Sequence, residues 1–219
     1  TAAIEEARNL QRHGITKPIL VLGMTHERDY EEAVRWGIRP AVFLRKQAQG
    51  LSQIAARLGK KVYIHLALDT GMSRIGMRPS KESADLAADI CRMPGICVEG
   101  IFTHFARADE RDKFWARKQM DEFFRFMDLL AERGVAIPIR HISNSAAMMD
   151  MREADCDMVR AGISLYGMYA SDQVSKDQVK LCPAMELKSF ISYIKEISPG
   201  TAVSYGGTFT ADRVMRIAT

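Results

Sequence analysis

Six positions in this chain could bind an anion or carry chemistry: Arg74, His104, Ser145, Arg160, Gly162 and Tyr205. Arg74 offers a planar guanidinium fork that matches a carboxylate through two parallel hydrogen bonds. Taken alone, it reads equally well as a surface arginine on a loop. His104, in Ile101-Phe102-Thr103-His104-Phe105-Ala106, is either a proton carrier near neutral pH or a packing residue. Ser145 closes Ser143-Asn144-Ser145, a set of helix-capping residues at a helix start, where free N–H groups also suit a phosphate. Gly162, in Arg160-Ala161-Gly162-Ile163, lets backbone N–H groups come close to an anion and leaves Arg160 beside whatever that anion anchors. Tyr205, in Ser204-Tyr205-Gly206-Gly207, reads without context as a turn residue.

Four of these groups share one placement: each follows a strand-like run. Residues 62–68 break into Asp69-Thr70-Gly71-Met72 and then deliver Arg74; 98–103 deliver His104; 139–142 deliver Ser143 to Ser145; Met158 and Val159 run into Arg160. Strands that end in polar turns and cations describe the rim of an α/β barrel, where chemistry sits at the strand ends and phosphate at the loops after the last two strands. Residues 19–22 and 41–44 add two earlier strands. Helical spacing is read over 2–13, 25–36, 46–58, 80–92, 113–133 and 145–151, with Gly14, Gly37, Gly59 and Gly134 as stops. Alternating strand and helix with short connections predicts parallel βαβ units. No G-x-G-x-x-G follows the first strand, which weakens a dinucleotide-binding sheet. A closed barrel needs eight strands and six are read, so two lie upstream of Thr1 or the sheet is open.

The expected organisation is α/β. A partial (β/α)8 TIM-type barrel covers 1–172, a polar linker 173–184, and the start of a C-terminal β-domain 185–219. In that last part a long strand is expected over 186–197, closed by the Pro199-Gly200 turn. With 219 residues, 47% of them hydrophobic, the chain can bury one sizeable core and a small second unit. The net charge of +4 comes from 31 basic and 27 acidic residues spread along the chain, so nucleic acid is not implied. No apolar run has the length of a membrane span. Cys91, Cys97, Cys156 and Cys182 form no CxxC pair and read as reduced, largely buried thiols of a cytoplasmic protein. No metal site is expected.

Taken together, the motifs resemble those of the alanine racemases, fold-type III pyridoxal-phosphate enzymes with an (α/β)8 barrel and a C-terminal β-domain. The stretches are Lys17-Pro18-Ile19-Leu20-Val21-Leu22-Gly23, Leu68-Asp69-Thr70-Gly71-Met72-Ser73-Arg74-Ile75-Gly76, Thr103-His104-Phe105-Ala106, His141-Ile142-Ser143-Asn144-Ser145-Ala146-Ala147, Met158-Val159-Arg160-Ala161-Gly162-Ile163-Ser164-Leu165-Tyr166-Gly167 and Ser204-Tyr205-Gly206-Gly207-Thr208. The resemblance covers nearly the whole chain in the family's order.

It implies pyridoxal 5′-phosphate as cofactor and the interconversion of L- and D-alanine, supplying D-alanine for peptidoglycan. By resemblance, Tyr205 is the base that exchanges the α-proton on the L side, and Arg74 neighbours the substrate carboxylate. Arg160 meets the pyridine nitrogen. Ser145 with the backbone of Gly162 and Ile163 anchors the phosphate, and His104 supports Arg160 and the tyrosine. A homodimer is implied, with Tyr205 acting in trans. A serine or broad-specificity racemase of the same fold, or a non-catalytic pyridoxal-phosphate-binding barrel, are the alternatives. Two departures stand out. The family's Schiff-base lysine motif has no match, and Lys17 precedes its strand and faces the wrong rim, so the chain is expected to be an internal fragment, inactive as given. Many members carry a carbamylated lysine two residues before Asp-Thr-Gly; here that position is Ala67. Arg74 is therefore expected to lean on Asp69, on the substrate or on a bound anion such as chloride.

Overall fold

The computed structural model describes all 219 residues. By packing, it divides into Thr1–Pro183 and Ala184–Thr219. The first unit alternates helix and strand: α1 (Ile4–Arg12), β1 (Leu20–Met24), α2 (Tyr30–Trp36), β2 (Arg39–Val42), α3 (Arg45–Leu58), β3 (Val62–Ala67), α4 (Lys81–Cys91), β4 (Ile96–Phe102), α5 (Phe114–Ala131), β5 (Ile139–His141) and α6 (Ser145–Asp150). The expected helix over 25–36 is split into a 3-10 turn, Glu27–Asp29, and α2.

All five strands are parallel and lie in the order β1-β2-β3-β4-β5. A doubly wound sheet reverses its strand order at the switch point, whereas the wall of a barrel runs sequentially. The observed order is that of a barrel wall. β3, covered on both faces, is buried at every position except Tyr63. Ile64, Leu66 and Ile101 of the sheet pack against Leu51 of α3 and Phe123 and Phe126 of α5. Helix ends follow local chemistry. Gly37 and Gly59 end α2 and α3 in the left-handed conformation that spares glycine a Cβ clash. Ser80 accepts the Ser83 N–H at the start of α4.

The sixth strand expected at Met158 and Val159 does not form. The segment does run beside β5, with the Asp157 N–H donating to the Arg140 carbonyl and the Arg160 N–H to the Ser143 carbonyl. The Arg140 N–H, however, is taken by the Asp157 carboxylate at 2.9 Å, so a side chain replaces the ladder that a strand would need.

The second unit pairs β6 (Ile194–Ile197) with β9 (Met215–Ala218), and β7 (Ala202–Val203) with β8 (Phe209–Thr210), both antiparallel. The strand expected over 186–197 is confined to its last four residues. Leu187 and Phe190 are almost fully exposed, and no strand pairs with that stretch. No helix in the structure is long and apolar enough to cross a membrane. All four cysteines are free; Cys182 is exposed, against the expectation of burial, and the other three are half-buried.

Candidate active site at the strand ends

β3 runs into a loop that closes on itself. The Met77 N–H donates to the Ala67 carbonyl (2.9 Å) and the Asp69 N–H to the Met77 carbonyl (2.8 Å). Gly76 permits this return, since a Cβ there would lie 2.6 Å from the Leu68 carbonyl carbon. Asp69 shapes the tip: its Oδ1 accepts the N–H groups of Gly71 (3.1 Å) and Ser73 (2.8 Å). Ser73 sits at φ 56°, a conformation a non-glycine residue keeps only where its surroundings enforce it. Arg74 leaves this loop exposed, with no hydrogen bond or ion pair to protein. Asp69 is committed to the backbone and does not pair with it. Ala67 is buried with Ala41 and Phe102. A cavity of about 60 Å³ lies between Arg74, His104, Phe102 and Leu68.

Arg160 is held very differently. Its Nη1 donates to His141 Nδ1 (2.7 Å) and to the His141 carbonyl (2.8 Å). Its Nη2 donates to the carbonyls of Thr103 (2.7 Å) and Ile142 (3.2 Å) and lies 3.4 Å from His104 Nδ1. The guanidinium also lies over the Phe102 ring, on which the His141 ring stacks. Burial pulls the Arg160 pKa down to about 10, so it remains a cation at neutral pH. One donor is left over: Nε is buried and has no acceptor.

Below Arg160 the polar contacts form a directed column. His141 Nδ1 receives a hydrogen bond from a guanidinium, which cannot accept, so the His141 proton sits on Nε2. That nitrogen lies 2.8 Å from His65 Nδ1, which accepts in turn and places the His65 proton on Nε2, 3.5 Å from the Glu99 carboxylate. Burial, then the charges of Arg160 and His65, push the His141 pKa down to about 2; burial is also the main cause that lowers His65. Burial, then Arg160 and Arg74, push His104 down to about 4. All three rings are neutral. Burial alone would raise Glu99, but Arg39, 3.1 Å away, and His65 outweigh it and keep it ionised.

The backbone builds this column. The β3–β4 register shifts between Ile64 and His65, so that Val98 pairs with Ile64, Gly100 with His65, and Glu99 is the extra residue of a bulge. Bulges re-aim a side chain, and here Glu99 is turned toward His65. Gly100 supplies the room, because a Cβ there would stand 2.3 Å from His65 Nδ1.

Asn144 rather than Ser145 caps α6, its Oδ1 accepting the Ala147 N–H at 3.1 Å. This frees Ser145, whose buried Oγ accepts the N–H groups of Gly162 (2.8 Å) and Ser164 (3.4 Å) and lies 3.2 Å from Ser164 Oγ. A Cβ at Gly162 would meet only Ser145 Oγ, at 3.6 Å, so the glycine keeps the space above the hydroxyl open. Ile163 begins the 3-10 turn Ile163–Tyr166 and is 41% exposed. Tyr205 belongs to the second unit. It starts the turn Tyr205–Gly207, after Ser204 at φ 61°, and its side chain is fully exposed at 101%.

The first unit thus brings Arg74, His104 and Arg160 together, and Ser145 with Gly162. Sequence reasoning missed His65, His141, Glu99 and Gln119 as site residues. The available signal was a histidine, His65, inside the otherwise uncharged strand β3.

The family model described as "Alanine racemase, N-terminal domain" matches residues 1–170, and "Alanine racemase, C-terminal domain" matches 184–219. The chain belongs to the alanine racemase family. An alanine racemase of Clostridium perfringens is 42% identical over 218 residues, covering 100% of this chain and 56% of that protein. A solved alanine racemase of Clostridium difficile 630 superposes with a TM-score of 0.87 at 43% identity, over 99% of this chain and 57% of that one. A histidine racemase of Leuconostoc mesenteroides superposes with a TM-score of 0.77 at 26% identity, over 99% and 58%. The chain therefore spans a little over half the length of these racemases. Its first unit is the family's barrel domain, and the short antiparallel strands that follow belong to the C-terminal domain.

Proposed function

We propose that the strand ends of the first unit hold pyridoxal 5′-phosphate, and that the whole protein interconverts L- and D-alanine in the cytoplasm and supplies D-alanine for peptidoglycan. The observation that carries this reading is the orphaned Nε of Arg160. A buried donor without a partner costs about 1–3 kcal/mol, and an unprotonated ring nitrogen is an acceptor that removes the cost. The Ser145 hydroxyl accepts the Gly162 and Ser164 N–H groups and so keeps its own proton to donate, which suits an oxygen of a phosphate group beside Gly162 and Ile163. Both ends of the cofactor thus find matching chemistry.

When bound, the cofactor takes up the electron density released as the substrate α-proton leaves. Arg160, held as a cation, disfavours a second positive charge at the ring nitrogen and keeps that nitrogen an acceptor. Arg74 presents an unpaired guanidinium to the substrate carboxylate. His104, neutral, accepts from Arg160 and adds no charge beside Arg74. Tyr205 exchanges the proton on the L side at its phenolic oxygen. In this reading it acts in trans on the barrel of a partner copy in a homodimer; the resemblance around Ser204–Thr208 supports the assignment. A phenol with an ordinary pKa near 10 needs neighbouring cations to serve as a base at neutral pH.

A second reading, a racemase for another amino acid such as serine or histidine, is favoured by the Leuconostoc structure named a histidine racemase. The test follows α-proton exchange in deuterated water for L- and D-alanine, serine and histidine, in the full-length protein and in Tyr205→Phe. Exchange fastest with alanine, and lost asymmetrically in the variant, is expected. Exchange fastest with another amino acid selects the second reading, and no exchange with any of them overturns both.

A further inference from the structure

The core-facing side of α5 reads Ala116, Gln119, Phe123, Phe126, Leu130. One polar residue stands in an apolar stripe, at 6% exposure. A carboxamide in such a place must be fully bonded, and this one is. Oε1 accepts the Ala106 N–H at 2.9 Å; Nε2 donates to the His104 carbonyl at 3.1 Å and to Thr70 Oγ1 at 3.2 Å. The amide cannot be turned over, because the Ala106 N–H only donates and the His104 carbonyl only accepts.

These partners lie on two different strand ends. Thr70 belongs to the loop after β3 that carries Arg74; His104 and Ala106 form the turn after β4. Thr70 Oγ1 also meets Thr103 Oγ1 at 2.8 Å, and the Thr103 carbonyl receives Arg160 Nη2. Behind these loops is a cleft of about 520 Å³, lined by Asp69, Arg78, Arg107, Trp115 and Gln119 itself. The loops have little protein on that side beyond the bridge.

We propose that Gln119 is a positioning residue of this site, its carboxamide holding the loop of Arg74 and the turn of His104 in one fixed relation. The roles of Arg74 and His104 rest on the functional reading above; how they are held rests on geometry alone. The Gln119 carboxamide is spent on Ala106, His104 and Thr70. It acts by allowing Arg74 and His104 to face one another across a single small cavity.

The experiment compares Gln119→Met, Gln119→Glu and Phe126→Leu in the full chain. Phe126→Leu weakens the same helix at a buried site remote from the loops. Two readouts are taken: the pH titration of the His104 ring by NMR, and KM against kcat for alanine exchange. In Gln119→Met the His104 midpoint should move from about 4 toward the ordinary value by roughly half a unit or more. KM should rise roughly fivefold or more with kcat changed less than about twofold. Gln119→Glu keeps the acceptor for Ala106 but loses both donors, and should restore little of the His104 midpoint. Phe126→Leu should lower thermal stability and leave both readouts in place. The proposal is overturned if Phe126→Leu reproduces the same shifts, or if Gln119→Met leaves the His104 titration at the wild-type value. Absence of exchange in the wild type would remove the functional reading only, because the His104 titration still decides the positioning.

Discussion

Arg160 and Arg74 lie within one site and are supported in opposite ways. Arg160 has every donor but one engaged by protein, over a column that ends on Glu99. Arg74 stands on a loop braced from below by Asp69 and has no partner of its own. The first is built with the fold and is paid for by folding; the second makes no hydrogen bond or ion pair to protein. The contrast predicts that damage to the floor is felt in stability, while damage to the rim is felt in substrate binding.

Removing Arg160 should have the largest effect. Arg160→Met leaves His141 Nδ1 and the carbonyls of Thr103, His141 and Ile142 without their donor, and should lower unfolding free energy by about 3 kcal/mol or more in urea titrations. A loss below about 1 kcal/mol would mean that the floor is not integral to the fold. Arg74→Met should change stability by less than about 0.5 kcal/mol. It should raise KM for alanine by roughly 10–100-fold, the worth of a charged hydrogen bond. Equal damage to stability and KM would erase the distinction between floor and rim.

The neutral histidines give a dependence on pH. His65, His104 and His141 all bind protons less readily when folded. The unfolded chain binds them below about pH 6.5. Between that value and the lower folded ones, the unfolded state holds more protons. The stability these rings contribute is therefore complete above about pH 6.5 and is lost as pH falls toward 4. The slope is up to about 1.4 kcal/mol per pH unit for each ring, readable in denaturant midpoints from pH 7 to 5. A flat profile over that range would contradict the neutral column. A modest loss of stability, about 1 kcal/mol or less, is expected for Glu99→Gln, because the carboxylate is only partly buried. Nitrogen-15 shifts of the imidazoles should still show the His65 proton on Nε2, because the His141 Nε2–H continues to donate to His65 Nδ1.

The barrel wall and its strand ends were legible because apolar runs, terminating glycines and polar breaks coincide. The runs over 62–68 and 98–103 announced strands that are indeed β3 and β4. What misled was side-chain competition for backbone. Met158 and Val159 look like a strand, but Asp157 takes the N–H that the ladder needs. The alternation at Leu187 and Phe190 suits a strand, but nothing pairs with it. The site's interior was harder to read for a different reason. Glu99 reaches His65 only because one residue is extra in β4, and a bulge leaves no mark on hydrophobic periodicity. Gln119 was detectable in principle, as the polar member of the apolar stripe of α5.

Gly100 gives this site a silent dependency. It has no side chain, donates nothing to the ligand and adopts an ordinary conformation, yet His65 occupies the volume its Cβ would fill. In a survey of tolerated substitutions, Gly100 would rank with Arg160 among the least replaceable positions, although no chemist would place it in the reaction. The middle of β4 is thereby held fixed by an emptiness that the imidazole next to it has already claimed.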